Sequence, residues 1–415
     1  MMDPQRLMVT PDPAMTPNTA MTPVPTVDSD LKMTLDLSLA SDLVMTPDST
    51  VASVLAVNPN SRIIPDPAVN SDPSMNPDPA QEASLAAEDW ARQFQGDYEM
   101  EVCQEDSQME SYYYYQKCLK NRGHHNFVPV KSLKLSHLPE VWRYRKNLKW
   151  VKQMARQTVL VRVNYTSPDR PEGYPFAKYN GKCVVRTGTG FAGRSQPWVV
   201  KPCPFADCKH GSDPHDVLTF VVKTAAHVVY DTSEAEHTEV DFFYDDDGAK
   251  DPSSQKSPEQ EAVVTARGIR RVKVDVSGDL CRIECAAHDM DLFKKLRGEK
   301  SVFHQLKKGT SLSFIISHPH GWEKQVSFGK VVDVKYLDSV TVQTPVPQWT
   351  KITRHCLLYY NIPTCRGSSG ANVFDWRRDE QGRHSQHQAL HSKGGSQGPG
   401  SCNASCKGVC IEEVS

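Results

Sequence analysis

Val221-Val-Lys-Thr-Ala-Ala-His227-Val-Val229 is a run of β-branched and small apolar residues around one histidine, and it decides how the rest of the chain is read. Two later segments carry complementary chemistry. In Val276-Ser-Gly-Asp279-Leu-Cys-Arg-Ile283 an aspartate opens a strand, and in Thr364-Cys-Arg-Gly367-Ser-Ser369-Gly-Ala-Asn-Val-Phe374 a serine lies in a glycine-flanked turn. A serine hydroxyl is a weak nucleophile at neutral pH until an adjacent base takes its proton, so a histidine, an aspartate to orient it and a serine form a chemically complete set.

The surrounding texture is that of strands. Thr158 to Val163, Val217 to Lys223, Ile269 to Val276, Leu312 to Ile316, Gln325 to Tyr336 and Cys356 to Asn361 are short runs rich in β-branched residues, separated by Gly, Pro, Asn and Asp. That pattern predicts an all-β sandwich or barrel. The stretch Asp245 to Glu259 reads as an inserted surface loop without the spaced oxygens of a calcium site. Upstream, Val141, Tyr144, Leu148, Val151 and Ala155 fall at steps of three and four from Pro139, with Arg143, Arg145, Lys146, Lys149 and Lys152 between them. This predicts one amphipathic helix with a basic outer face, packed on the domain that follows.

The beginning of the chain differs in kind. Thirteen acidic residues against three basic ones give the first 90 residues a charge of −10, which leaves +8 for the rest of a 415-residue chain of net charge −2. Met-Thr-Pro at 15, 21 and 45 and Pro-Asp-Pro-Ala at 11, 65 and 77 recur without a fixed period. Proline removes amide donors, and so few aromatics cannot offset chain entropy, so residues 1–85 are read as disordered. Within them, the acidic and apolar alternation of Leu31 to Val57 is the pattern of a segment that folds on a partner, although an inert tail is the plainer reading. Residues 86–154 then form a helical lead-in and 155–415 the main domain.

These features exclude several classes. The basic excess is spread thinly and joins no aromatic-interleaved signature, so no nucleic-acid partner is expected. No apolar stretch approaches the roughly 20 residues that span a bilayer, and Met1-Met-Asp-Pro-Gln-Arg lacks the order of a secretory signal, so no membrane is expected and the protein is placed inside the cell, in the cytoplasm. Twelve cysteines in that compartment are thiols or metal ligands rather than a disulfide framework. The sequence assigns no oligomeric state.

Taken together, the three segments resemble the motifs of trypsin-like serine peptidases, with the high-temperature-requirement branch closest in style. Thr-Ala-Ala-His227, the strand opened by Asp279 and Gly367-Ser-Ser369-Gly-Ala stand in the order of that fold, which differs from that of subtilisin-like enzymes. Thr187-Gly-Thr-Gly-Phe191, Ser317-His-Pro-His-Gly321 with Gln325 to Val331, and His391-Ser-Lys-Gly-Gly395 extend the resemblance over about residues 155–415. It implies two six-stranded antiparallel β-barrels and a serine endopeptidase with no required cofactor, acting on a peptide or protein substrate. His227, Asp279 and Ser369 would be the triad, with the amides of Gly367 and Ser369 as oxyanion hole. Substrate backbone would lie along His391 and Ser392, and Pro363 and Thr364 would stand at the pocket base, without an Asp for a basic side chain. Apolar or small side chains are then the expected preference. Ser368 and Val228 replace the Asp of zymogen activation and a disulfide cysteine of the secreted members, so activation of that type is not expected.

Cys203, Cys208, His210, Cys281, Cys285 and His288 supply six candidate zinc ligands, but neither cysteine pair has the tight knuckle spacing. Buried free thiols are the plainer reading, and no metal is assigned. A non-cleaving protein of this fold that binds a peptide or protein partner is the alternative to an enzyme, with a zinc-stabilised scaffold as a third reading.

Overall fold

In the computed structural model, residues 97–103, 108–193, 197–208, 215–245, 262–297, 307–338, 350–395 and 402–414 are described. The 1–85 tail, the Leu31 to Val57 alternation and residues 246–259 of the predicted loop lie outside them. Alternation builds the first barrel. Val159, Val161 and Val163, then Leu218, Phe220 and Val222, then Cys281, Ile283 and Cys285 are every-second residues of three strands, and all are buried in one core. Thr158–Val163 pairs antiparallel with Val185–Ala192 and with Thr238–Phe242. The latter pairs with Val264–Asp275, which pairs with Leu280–Ala287, which pairs with Val217–Thr224. The contacts Phe191↔Lys223 and Ala192↔Val222 close six strands on themselves. Closure removes the unpaired edges that an open sheet would expose.

The second barrel closes through one bent strand. Thr310–Ser317 pairs with Gln325–Gly329, and beyond Lys330 the same chain continues as Val331–Asp338 to pair with Thr350–Tyr360. Gly408–Val414 links that strand to His384–Gly394, which pairs with Asn372–Arg378 and so returns to Thr310–Ser317. Two antiparallel barrels were expected from the resemblance, and this is the architecture found. Ile315, Leu358, Tyr360, Val373 and Ala389 fill the second interior.

The outer face of this barrel is apolar as well, and the helix Arg145–Gln157 covers it. Trp150 lies 3.9 Å from Trp376 and 5.3 Å from Phe314 between ring centroids, and Val151, Met154 and Ala155 complete the stripe. Lys146, Lys149 and Lys152 face outward. The helix begins later than the apolar spacing from Pro139 suggested. Glu140–Trp142 is a single 3-10 turn, and Val141 and Tyr144 are 47% and 39% exposed. The buried Trp142 explains the break, because its indole donates to Ser311 O (3.1 Å) and ties the chain to the barrel edge before the helix can start.

The lead-in is woven into both barrels. Asp97–Tyr98 pairs with Lys393 and Gly394 of the second, Glu101–Cys103 with residues 185–187 of the first, and Phe127–Pro129 with residues 325–327. Among the described residues no helix is long and apolar enough to cross a membrane.

Candidate active site

The strand Val217–Thr224 ends where Ala225 accepts from the amides of Val228 (3.1 Å) and Val229 (3.3 Å), and this turn presents the buried His227 to Asp279 and to the Tyr98 ring. Its main chain is held by charge. Arg170 donates to His227 O (3.0 Å) and, through two nitrogens, to Glu234 (2.6 and 2.7 Å), whose carboxylate also meets Arg186 at 3.2 Å. All three side chains are fully buried. Burial opposes ionisation of Glu234, but the Arg170 hydrogen bonds and the two guanidinium charges hold its carboxyl at about 2.

Asp279 closes a four-residue hairpin whose Asp275 carboxylate accepts from Ser277 Oγ (2.7 Å) and Gly278 N (2.8 Å). Its φ of 51° is in the left-handed region, which Asp tolerates better than most residues. From there both carboxylate oxygens reach His227 Nδ1 (3.0 and 2.8 Å), and Oδ1 also accepts the His227 amide at 3.0 Å. Ser392 Oγ donates to the second oxygen. Burial works against the charge, yet the neighbouring imidazole and these donors keep the carboxyl below its usual range. The arrangement fixes the Nδ1–H tautomer and leaves Nε2 as acceptor. Among the described residues Nε2 has no hydrogen-bond partner.

Ser369 follows a turn in which Ser368 N bonds Cys365 O (2.9 Å) and Gly367 has φ of 88°. A Cβ at Gly367 would lie 2.3 Å from His318 O, so both conformation and space require glycine there. Thr189, from the Thr-Gly-Thr-Gly strand of the first barrel, locks the turn. Its Oγ1 donates to Gly367 O and its amide to Ser369 O, both at 2.7 Å. The amides of Gly367 and Ser369 converge on one oxygen, the backbone carbonyl of Glu99 (2.8 and 3.0 Å). Ser369 Oγ donates to Ser392 O (3.2 Å) rather than to His227.

Next to this lies a polar pocket. His391 Nε2 is 2.7 Å from a Glu99 carboxylate oxygen, and its Nδ1 meets the hydroxyl of the buried Tyr360. Lys120 Nζ pairs with the other Glu99 oxygen and reaches Thr364 Oγ1 (3.3 Å) and Asn403 Oδ1 (3.4 Å). Burial keeps His391 below its ordinary pKa and Tyr360 well above its own, so the phenol donates to Nδ1 and the neutral imidazole donates from Nε2. Thr364 thus lines the pocket, whereas Pro363 turns its carbonyl to Ser327 Oγ (2.7 Å). Walls of this polarity do not match the expected apolar or small preference.

Cys203, Cys208, His215 and His288 bring their donor atoms within 4.8 Å of one another, and so do Cys118, His124, His320 and Cys365. Two Cys2His2 sets could therefore hold a metal, one at a barrel rim and one buried behind the Ser369 turn. Cys281 and Cys285 join neither. They point into the first barrel's core, where desolvation pushes the Cys281 thiol up to about 12 and Cys285 higher still. His210 lies outside the described residues. The ligands expected from the sequence include neither His215, which stands only seven residues after Cys208, nor any of the second set, in which the Cys118 and His124 pair meets His320 and Cys365 from distant segments.

No protein-family model matches the chain, and no curated protein matches it. Among solved structures, the Rv3671c protease from M. tuberculosis overlaps it in its active form with a TM-score of 0.30 and 14% identity, over 65% of this chain and 82% of that one. The inactive form overlaps with the same TM-score and identity, over 65% and 90%. The fold described above rests on strand pairing and not on this overlap.

Proposed function

We propose that the protein is a serine endopeptidase. The observation that carries this reading is the convergence of the Gly367 and Ser369 amides on a single carbonyl oxygen beside a buried His227–Asp279 pair. Amides held in advance at the position of a peptide carbonyl stabilise the negative charge that develops there, with no reorganisation during reaction. In this reading Ser369 leaves its bond to Ser392, His227 Nε2 takes its proton and returns it to the leaving amine, and Asp279 stabilises the imidazolium. The lead-in supplies one wall of the cleft and the two barrels the others.

A second reading, a non-cleaving peptide-binding protein, is favoured by the Ser369 Oγ bond to Ser392 O. A fluorophosphonate probe separates the two. Labelling of the folded protein, lost in Ser369→Ala, supports the peptidase; a folded protein that takes no label and cleaves no peptide supports the binder.

A further inference from the structure

The segment in the cleft belongs to the chain itself, and it lies there as a substrate would. Asp97 and Tyr98 pair antiparallel with Gly394 and Lys393, and the Tyr98 ring packs 4.5 Å from that of His227. Glu99 then places its carbonyl on the two amides and its carboxylate in the pocket. On the far side, Glu101–Cys103 continues as a strand against residues 185–187 of the first barrel. The path therefore fills both sides of the candidate cleft, with Glu99 in the position whose carbonyl is attacked.

The pocket suits that side chain. One carboxylate oxygen faces a neutral imidazole N–H, kept in that tautomer by Tyr360, and the other faces the Lys120 ammonium. A Cβ at Gly394 would stand 2.4 Å from the Glu99 oxygen and 2.6 Å from Lys120 Nζ, so the glycine leaves the space that the ion pair occupies. A glutamine would keep the imidazole bond and lose the charge pair, and a leucine would lose both, leaving the half-buried Lys120 ammonium only its neutral partners Thr364 and Asn403.

We propose that Asp97–Cys103 is a self-substrate: the enzyme cleaves its own Glu99–Met100 bond, and the same pocket selects glutamate in other substrates. This rests on the endopeptidase reading. Ser369 Oγ adds to the Glu99 carbonyl carbon, and the bond to Met100 N breaks as His227 delivers the serine proton to that nitrogen. Water then hydrolyses the Glu99 ester, restoring Ser369 and leaving a carboxylic acid on Glu99 and a new amino terminus on Met100.

The test uses the full chain and the nonapeptide Gly96–Gln104 with Glu, Gln or Leu at the position of Glu99. Mass spectrometry should find a fragment beginning at Met100 in the wild type and none in Ser369→Ala or Glu99→Ala. Cleavage of the Glu peptide should exceed that of the Gln peptide by about 10- to 100-fold, and Lys120→Met should remove most of that difference. An enzyme that labels with fluorophosphonate and cleaves the Leu peptide but leaves its own Glu99–Met100 bond intact overturns this proposal alone. Absence of both labelling and peptide cleavage overturns the endopeptidase reading and this proposal with it.

A second inference stands independently on the two Cys2His2 sets. Tetrahedral zinc with Zn–S near 2.3 Å and Zn–N near 2.05 Å separates its ligand atoms by roughly 3.8 Å between sulfurs and roughly 3.6 Å between sulfur and nitrogen. In the buried set Cys118 Sγ and Cys365 Sγ are 3.6 Å apart, and Cys365 Sγ is 3.4 Å from His124 Nε2. His320 completes it. Glu101 holds its Nδ1 at 2.7 Å while the buried Nε2 has no hydrogen-bond partner among the described residues, the orientation that a carboxylate imposes on a metal-binding histidine. At the rim, Cys203 to His288, Cys208 to His215 and Cys208 to His288 span 3.5, 3.4 and 3.2 Å.

We infer that each set binds one zinc ion. The buried site would staple residues 118–124, and with them Lys120, to the turn that carries Ser369. Native mass spectrometry of the purified full chain should show two zinc ions, falling to one in Cys365→Ser and to one in Cys208→Ser. A folded wild type with no zinc overturns both sites. One zinc, unaffected by one of the two substitutions, overturns the corresponding site, as does a Cys118–Cys365 disulfide for the buried one.

Discussion

His227 and Asp279 hold each other through three hydrogen bonds between two loops of one barrel, 52 residues apart in the chain. His391 is held instead between Tyr360 of its own barrel and a carboxylate 292 residues away, with Lys120 from a third segment beside it. The acid–base pair thus carries fixed partners, with Ser392 Oγ of the second barrel donating to Asp279 as well. The pocket half is a box for one charge, and it reaches neutrality only when a carboxylate enters. In the proposed reading the first barrel supplies the acid–base pair, while the second supplies the nucleophile, its amides and the selecting pocket.

The severest way to break this comparison is to remove the reacting groups. Ser369→Ala and His227→Ala should each lower kcat by about 10⁶-fold, with the double variant little worse than either, because such groups act as one unit. Full additivity would show that the two do not cooperate. Asp279→Asn should cost less, about 10⁴-fold, through the wrong imidazole tautomer, with the fold retained by circular dichroism. If the acid–base pair keeps its partners whatever the pocket holds, both effects should be the same for Glu and Leu peptides.

The support beneath His227 is the next target. Glu234→Gln leaves Arg170 and Arg186 buried against a neutral group, so unfolding in urea should show a loss of about 3–5 kcal/mol. A loss within error would mean that solvent reaches this cluster.

Acid should also act on the pocket half. Burial disfavours the Glu99 carboxylate, but the His391 hydrogen bond and the Lys120 charge prevail and hold its carboxyl at about 2 against an ordinary 4.5. A depressed folded pKa stabilises the docked state above the ordinary value and is lost as pH falls from about 4.5 through 2. The contribution is on the order of 3 kcal/mol. In a Ser369→Ala background, the melting temperature should therefore fall further across that window than it does in Ser369→Ala with Glu99→Gln. Parallel curves would show that the carboxylate does not anchor the segment.

What could be read from the sequence divides along the same line. The two barrels, and the convergence of His227 with Asp279, follow from runs in which strand pattern and reactive residue are contiguous, so local spacing carries the signal. The resemblance puts His391 on a strand expected to lie along substrate, but its surroundings depend on Tyr360, Lys120 and Glu99, which only the closed second barrel and the threaded lead-in bring together. The metal sets show the same limit. Cys281 and Cys285 stand close to His288 in sequence, yet strand alternation turns their side chains into the core, while His320 and Cys365 reach the Cys118 and His124 pair from distant segments. Trp142 delayed a helix for a similar reason, since its anchor on Ser311 is a long-range contact.

The threading of Asp97–Tyr98 beside Lys393 and Gly394 also sets a clock. At about 5–20 residues per second, the 292 residues between Glu99 and His391 take a ribosome roughly 15–60 seconds to make, and Asn403, which reaches Lys120, comes later still. The earliest-made part of the cleft must wait in the open for the last-made part. Occupancy of the pocket thus reports that translation has passed Asn403, and a nascent chain truncated before His391 has nowhere to dock its own glutamate.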